Sequence, residues 1–80
     1  MSKLKVWFFA PERITALREM KRLSQARFGA LLGSHRQHIS AWETGKAMPN
    51  TQSIVRMANL FSVTPSFFFV EADPNVRKPE

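Results

Sequence analysis

Apolar side chains recur at helical spacing through the middle of this chain. Ile14 and Leu17 stand three apart, Phe28, Leu31 and Leu32 fall at i, i+3 and i+4, and Ile39 is followed three residues on by Trp42. Further along, Ile54, Met57, Ala58 and Phe61 recur at i, i+3, i+4 and i+7. A period near 3.6 lays each set along one face of a helix, which predicts amphipathic helices around a common core. The first ten residues behave otherwise. MSKLKVWFFA alternates weakly and carries Val, Trp and two Phe, predicting a strand or an arm packed across the body.

Punctuation between these stretches fixes where the elements start and stop. Pro11 suits a first helical position, and Glu12 complements the positive end of that helix. Ser24 is placed to cap the next helix through its hydroxyl, and Gly33 suits the left-handed conformation that ends it. Residues 44–49 read as a loop closing at Pro49. Thr64 then caps and Pro65 opens a last short helix carrying Phe67, Phe68 and Phe69. The stretch 71–80, EADPNVRKPE, is polar and interrupted by proline, and is expected to be a flexible tail. The division is thus an arm over 1–10, one domain over 11–70 and the tail over 71–80.

Residues 24–49, SQARFGALLGSHRQHISAWETGKAMP, carry the most informative pattern. A short helix, a glycine turn and a second helix bend against each other, with Phe28, Ile39 and Trp42 turned inwards. Arg36, Gln37, Ser40 and Ala41 point elsewhere, so polar hydrogen-bonding groups crowd the start of the second helix. Such a unit suits a helix lying in the major groove of DNA.

At these residues the chain resembles the helix-turn-helix family of phage Cro and repressor proteins, the XRE-like regulators. The matching pieces are LREMKRLSQ (17–25), FGALLGS (28–34), HISAWETGKAMP (38–49) and SIVRMANLFSV (53–63), which together span roughly residues 13–69. The resemblance implies an all-α, compact, lambda-repressor-like DNA-binding domain with a short N-terminal arm or strand. It implies five helices, near 11–21, 24–32, 35–43, 50–61 and 65–70, with residues 35–43 as the helix placed in the groove. Three positions depart from the family pattern. Arg22 stands where Gly often ends the first helix, Ser34 where the turn is often apolar, and His35 where Ser, Thr or Asp usually caps the recognition helix.

Charge sharpens this picture. Twelve Lys and Arg against six Asp and Glu give a net charge of +6. Between residues 13 and 46, Arg13, Arg18, Lys21, Arg22, Arg27, Arg36 and Lys46 oppose only Glu19 and Glu43, seven against two, a net of +5. Joined to the helical pattern, this excess points to a polyanion bound through phosphate neutralisation. Eighty residues allow one small domain. There is no cysteine, hence no disulfide and no thiolate zinc site. No apolar run approaches the ~20 residues of a membrane span, and VWFFA is too short for a signal-peptide core. A cytoplasmic protein is expected.

Specific roles follow from the resemblance. Arg36 and Gln37 open the recognition helix, where arginine can bond guanine O6 and N7 and glutamine adenine N6 and N7. Ala41 lies one turn on, its methyl in reach of a thymine methyl, and Ser40 completes the base-reading set. Gln25 matches a position that clamps a phosphate in similar proteins, helped by the positive helix end. Thr44, Lys46 and Asn50 around the following loop supply a second clamp, and His35 and His38 are placed with the phosphate contacts. Arg18 and Glu43 match a family ion pair that ties the first helix to the end of the recognition helix. His35 and His38 by themselves make an incomplete metal site, so no metal or other cofactor is expected. HExxH, Gly-x-Ser-x-Gly and a phosphate-binding glycine loop are all missing, and an enzyme is not expected.

Six large rings sit at the two chain ends, outside the reading unit: Trp7, Phe8, Phe9, Phe67, Phe68 and Phe69. Either the arm packs on the last helix, or the rings form a patch that meets a partner. A homodimer on two half-sites of double-stranded DNA is the expectation, through the last two helices, the arm, or both. FFAPERI and PSFFFVEADP also resemble the flanks of a subgroup in which the domain accompanies a zinc metallopeptidase or a toxin. The expected function is a transcriptional repressor that binds a palindromic operator as a dimer. The alternatives are an antitoxin that represses its own operon, or an antirepressor or inhibitor that uses the same fold to bind protein.

Overall fold

The computed structural model describes residues 6–72, with the elements β1 (Val6–Phe9), α1 (Pro11–Met20), α2 (Gln25–Leu32), α3 (Arg36–Thr44), α4 (Thr51–Phe61), a 3-10 turn (Pro65–Phe68) and β2 (Phe69–Ala72). Pro11 begins α1, as its fixed φ and missing N–H allow. The Ser24 hydroxyl accepts the Arg27 backbone N–H at 3.0 Å and caps α2. Asn50, expected as a phosphate contact, caps α4 by accepting the Ser53 N–H at 2.8 Å.

All four helices end in the same way. In each, a left-handed residue follows the end, directly in α2, α3 and α4 and after Lys21 in α1, and the next N–H reaches back five positions: Leu23 to Arg18, Ser34 to Gly29, Lys46 to Ala41 and Val63 to Ala58. Gly33 and Gly45 take that conformation without strain, at φ of 70° and 78°. Arg22 and Ser62 take it with side chains, at 58° and 57°.

The four apolar stripes converge on one core. Ile14 and Leu17, Phe28 and Leu32, Ile39 and Trp42, and Ile54, Met57, Ala58 and Phe61 are all buried in a single cluster. Phe28 and Phe61 meet with ring centroids 5.4 Å apart. Leu31, expected on the inner face of α2, is instead exposed, because the buried face of this short helix runs through Phe28, Gly29 and Leu32.

The expected fifth helix near 65–70 is not formed: the described residues make four α-helices, a single 3-10 turn and a short sheet. Phe69 donates its N–H to Ser66 and then extends, at φ −128° and ψ 152°. Bulky aromatics followed by Val70 favour the extended state, and strand pairing takes over the backbone groups. β1 and β2 run antiparallel, with Val6 opposite Ala72, Trp7 opposite Glu71, Phe8 opposite Val70 and Phe9 opposite Phe69. Thr64 does not cap the turn as expected, since its hydroxyl pairs with that of Ser66 at 3.0 Å. Glu71 and Ala72, expected in a loose tail, lie within β2. Residues 1–5 of the expected arm and 73–80 of the expected tail lie outside the described residues.

The six rings at the chain ends therefore divide. Phe68 is fully buried among the core residues, which removes it as a partner contact. Phe9, Phe67 and Phe69 are half-buried against that core. Arg13 holds the turn in place, donating to the Phe67 carbonyl at 2.9 Å with its guanidinium 5.1 Å above the Phe67 ring. Phe8 is half-buried on the ribbon, and Trp7 is 56% exposed.

Candidate nucleic-acid interface

The geometry of the site begins with the contact between α2 and α3. Gly29 lies where the two helices touch, and a Cβ there would come within 3.1 Å of the Ser34 carbonyl oxygen and 3.2 Å of the His35 carbonyl carbon. Both obstacles are backbone, so only glycine lets α3 start this close to α2. Ile39 and Trp42 bury one face of α3. The opposite face is thereby turned outwards, with Arg36 and Gln37 exposed and Ser40 and Ala41 half-buried.

An open depression of about 390 Å³ forms on that outer side, lined by Gln25, Arg36, Gln37, Ser40, Ala41 and Lys46. Every base-reading residue expected from the sequence borders it, together with two of the expected phosphate contacts. The others lie around it. Thr44 spends its single hydroxyl donor on the Ser40 carbonyl at 2.9 Å, so donation to a phosphate would require that hydroxyl to turn. His35 stands at the start of α3 without a capping bond from its side chain. His38 contacts the Ser34 hydroxyl through Nδ1 at 2.9 Å and stacks on Trp42, with centroids 6.4 Å apart.

Beyond α3 a second depression, of about 380 Å³, gathers His38 and Asn50 with Ser34, Ser53 and Arg56. Arg56 carries no part in the sequence-based expectation. Its Nη1 donates to the Leu32 carbonyl at 3.3 Å, at the negative end of α2. A lone cation on the otherwise uncharged α4 was the available signal.

A half-buried network fixes the floor of the site. Arg18 grips Glu43 with two nitrogens, Nε to Oε2 at 2.6 Å and Nη2 to Oε1 at 3.2 Å. Its third nitrogen donates to the Leu23 carbonyl at 2.7 Å, in the turn before α2. Gln25 also donates to Glu43 Oε1, at 3.1 Å, which orients its amide at the edge of the depression. One arginine thus ties α1, the start of α2 and the end of α3 together. Its pKa is raised above the ordinary arginine value, first by the hydrogen bond to Glu43, against an opposing effect of burial. Glu43, the one acid on α3, is consumed inside this network, leaving the outer face of the helix without negative charge. Among the described residues no cluster of three or more His, Cys, Asp or Glu could hold a metal ion. No helix of the described residues is long and apolar enough to cross a membrane.

This arrangement of helices and outward-facing polar residues is that of a helix-turn-helix reading unit. Residues 14–68 match the helix-turn-helix family HTH_3, and the chain belongs to that family of Cro and phage-repressor-like, XRE-type DNA-binding regulators. It is 40% identical over 53 residues to the HTH-type transcriptional activator BcrR of Enterococcus faecalis, covering 66% of this chain and 26% of that protein. It is 34% identical over 56 residues to the SPbeta prophage-derived uncharacterized HTH-type transcriptional regulator YonR of Bacillus subtilis (strain 168), covering 70% of this chain and 52% of that one. The chain therefore spans between a quarter and about half of the length of these relatives. Among solved structures it is similar to the P22 c2 repressor in complex with synthetic operator 9T, at a TM-score of 0.69 and 28% identity over 72% of this chain and 88% of that one.

Proposed function

We propose that this chain is a sequence-specific transcriptional repressor that binds a palindromic operator as a homodimer and excludes polymerase from the promoter. The observation that carries this reading is the convergence of Gln25, Arg36, Gln37, Ser40, Ala41 and Lys46 around one open depression on the outer side of α3. These residues supply donors for phosphate at its margins and donors, acceptors and a methyl group for base edges between them. Similarity to an operator-bound phage repressor supports the same reading.

In the proposed complex α3 enters the major groove. Arg36 takes a guanine and Gln37 an adenine, while Ala41 meets a thymine methyl and Ser40 an adjoining base edge. Gln25 and Lys46 hold phosphates beside the groove, with His35, His38, Thr44 and Asn50 extending the backbone contact. Two copies double a modest interface and read two half-sites about one helical turn apart.

Selection of bound DNA from a random pool tests the proposal directly. The expected result is an enriched motif with two-fold symmetry, containing a guanine whose selection is lost in Arg36→Ala. A pool that stays unenriched at low salt overturns it.

A further inference from the structure

The ribbon of β1 and β2 is built to continue. We propose that the outer edge of β1 pairs antiparallel with β1 of a second copy of this chain, about a two-fold axis at Phe8. This rests on the dimeric reading above and gives that dimer its surface.

Hydrogen-bond alternation identifies the edge that is unpaired among the described residues. Ala10, opposite Phe68 in the continuation of the strand register, donates its N–H to the Phe68 carbonyl at 2.8 Å. In an antiparallel pair, backbone groups point to alternate sides along each strand. Ala10, Phe8 and Val6 therefore face β2, and the N–H and C=O groups of Trp7 and Phe9 point away from it. Placing the two-fold at Phe8 sets Trp7 of each copy opposite Phe9 of the other, so each outward donor meets an outward acceptor. The match is self-complementary, as an isologous interface demands. A two-stranded ribbon is marginal in water by itself, and added strands stabilise it.

Side chains point to the same occupant. Val6, Phe8, Val70 and Ala72 share the ribbon face opposite Phe9 and Phe69, so that entire face is apolar. Charge selects a second copy as the partner. Each copy carries +6, and among the described residues every cation but Arg56 lies between residues 13 and 46. Residues 6–10 bear no charge, and residues 47–72 bear only Arg56 and Glu71. Of the seven exposed large hydrophobic residues among those described, Val6, Trp7, Met48, Val55 and Leu60 fall in these neutral stretches. Two strongly basic molecules meet with least repulsion there.

Two experiments on the full chain test the register. Trp7→Pro removes an N–H that points away from β2, so it spares the ribbon but blocks the edge. Trp7→Thr keeps that N–H and controls for loss of the ring. By sedimentation equilibrium without DNA, the wild type and Trp7→Thr should dimerise, while Trp7→Pro should raise the dimer dissociation constant about tenfold or more. Circular dichroism of the two variants confirms that both remain folded. The second experiment uses the absence of cysteine from the chain. At the two-fold, facing Cα atoms of residue 8 lie about 4.5 Å apart, within disulfide reach. Those of residue 6 lie roughly 14 Å apart, at ~3.4 Å per residue. Phe8→Cys should therefore oxidise readily to a covalent dimer, and Val6→Cys should not. A wild type that stays monomeric, a dimer indifferent to Trp7→Pro, or equal cross-linking at residues 6 and 8 would overturn the proposal. A monomer that still enriches a DNA motif sinks this surface alone and leaves DNA reading standing.

Discussion

Arg22 illustrates how one side chain is held against its own preference. At φ 58° its Cβ crowds the following carbonyl, a strain glycine does not feel. Arg22→Gly is expected to stabilise the fold by about 0.5–1 kcal/mol. In a domain of this size that raises the melting temperature by roughly 2–8 °C, measurable by calorimetry. Arg36 should behave in the opposite manner. Exposed at the start of α3, it is expected to leave stability nearly unchanged when replaced by Ala but to cost ~1–3 kcal/mol of binding to the selected site. A titration series over operators altered one base pair at a time checks this, with the preference relaxed at a single pair. The residue scale is also where sequence reading reached furthest. The cap at Ser24, the turn at Gly33 and the inward placing of Ile39 and Trp42 each need only local rules, and each is found. Gly29 escaped notice because its reason is tertiary. Its presence inside a helix, where alanine is favoured, was the trace it left.

Elements depend on what they meet. Gly29→Ala puts a methyl against the backbone at Ser34 and His35, forcing α3 away from α2. A loss of about 1–3 kcal/mol by chemical denaturation is expected, along with weakened operator binding as the reading helix shifts. The link between α1 and α3 can be tested separately. Arg18→Met strands the nearly buried carboxylate of Glu43 and should cost roughly 3 kcal/mol, much of it recovered when Glu43→Leu is added. This pair is insensitive to arginine titration at ordinary pH. A raised folded pKa leaves its stabilisation in place below the unfolded value and loses it only as pH climbs through the higher one. The four helices were legible because each carries its own apolar period, whereas the stops at Arg22 and Ser62 left no glycine to mark them. The fifth was not, since a proline followed by three phenylalanines satisfies a helix start as well as a turn into a strand. The deciding partner, β1, lies some sixty residues earlier in the chain.

For the whole molecule, charge distribution is the governing property. Seven of the twelve cations fall between residues 13 and 46, with Arg36 and Lys46 lining the depression beside α3, while α4 and the ribbon are almost neutral. Binding to DNA should therefore weaken steeply with salt. About six phosphate contacts would lower affinity roughly a thousandfold between 50 and 200 mM salt, a slope that equilibrium titration reads directly. A slope near zero would mean that phosphates contribute little to the complex. Composition hinted at the partner without locating the site: a total of +6 says nothing of where Arg36 and Lys46 meet, which the packing of α3 on α2 decides.

The placement of the two indoles has an optical consequence. Trp42 is buried on the inner face of α3 with an imidazole stacked on it, while Trp7 stands exposed on the ribbon. Their emission should differ in colour and in access to a dissolved quencher. Light from one should then report any change around α3, and light from the other any change at the ribbon, with no label added.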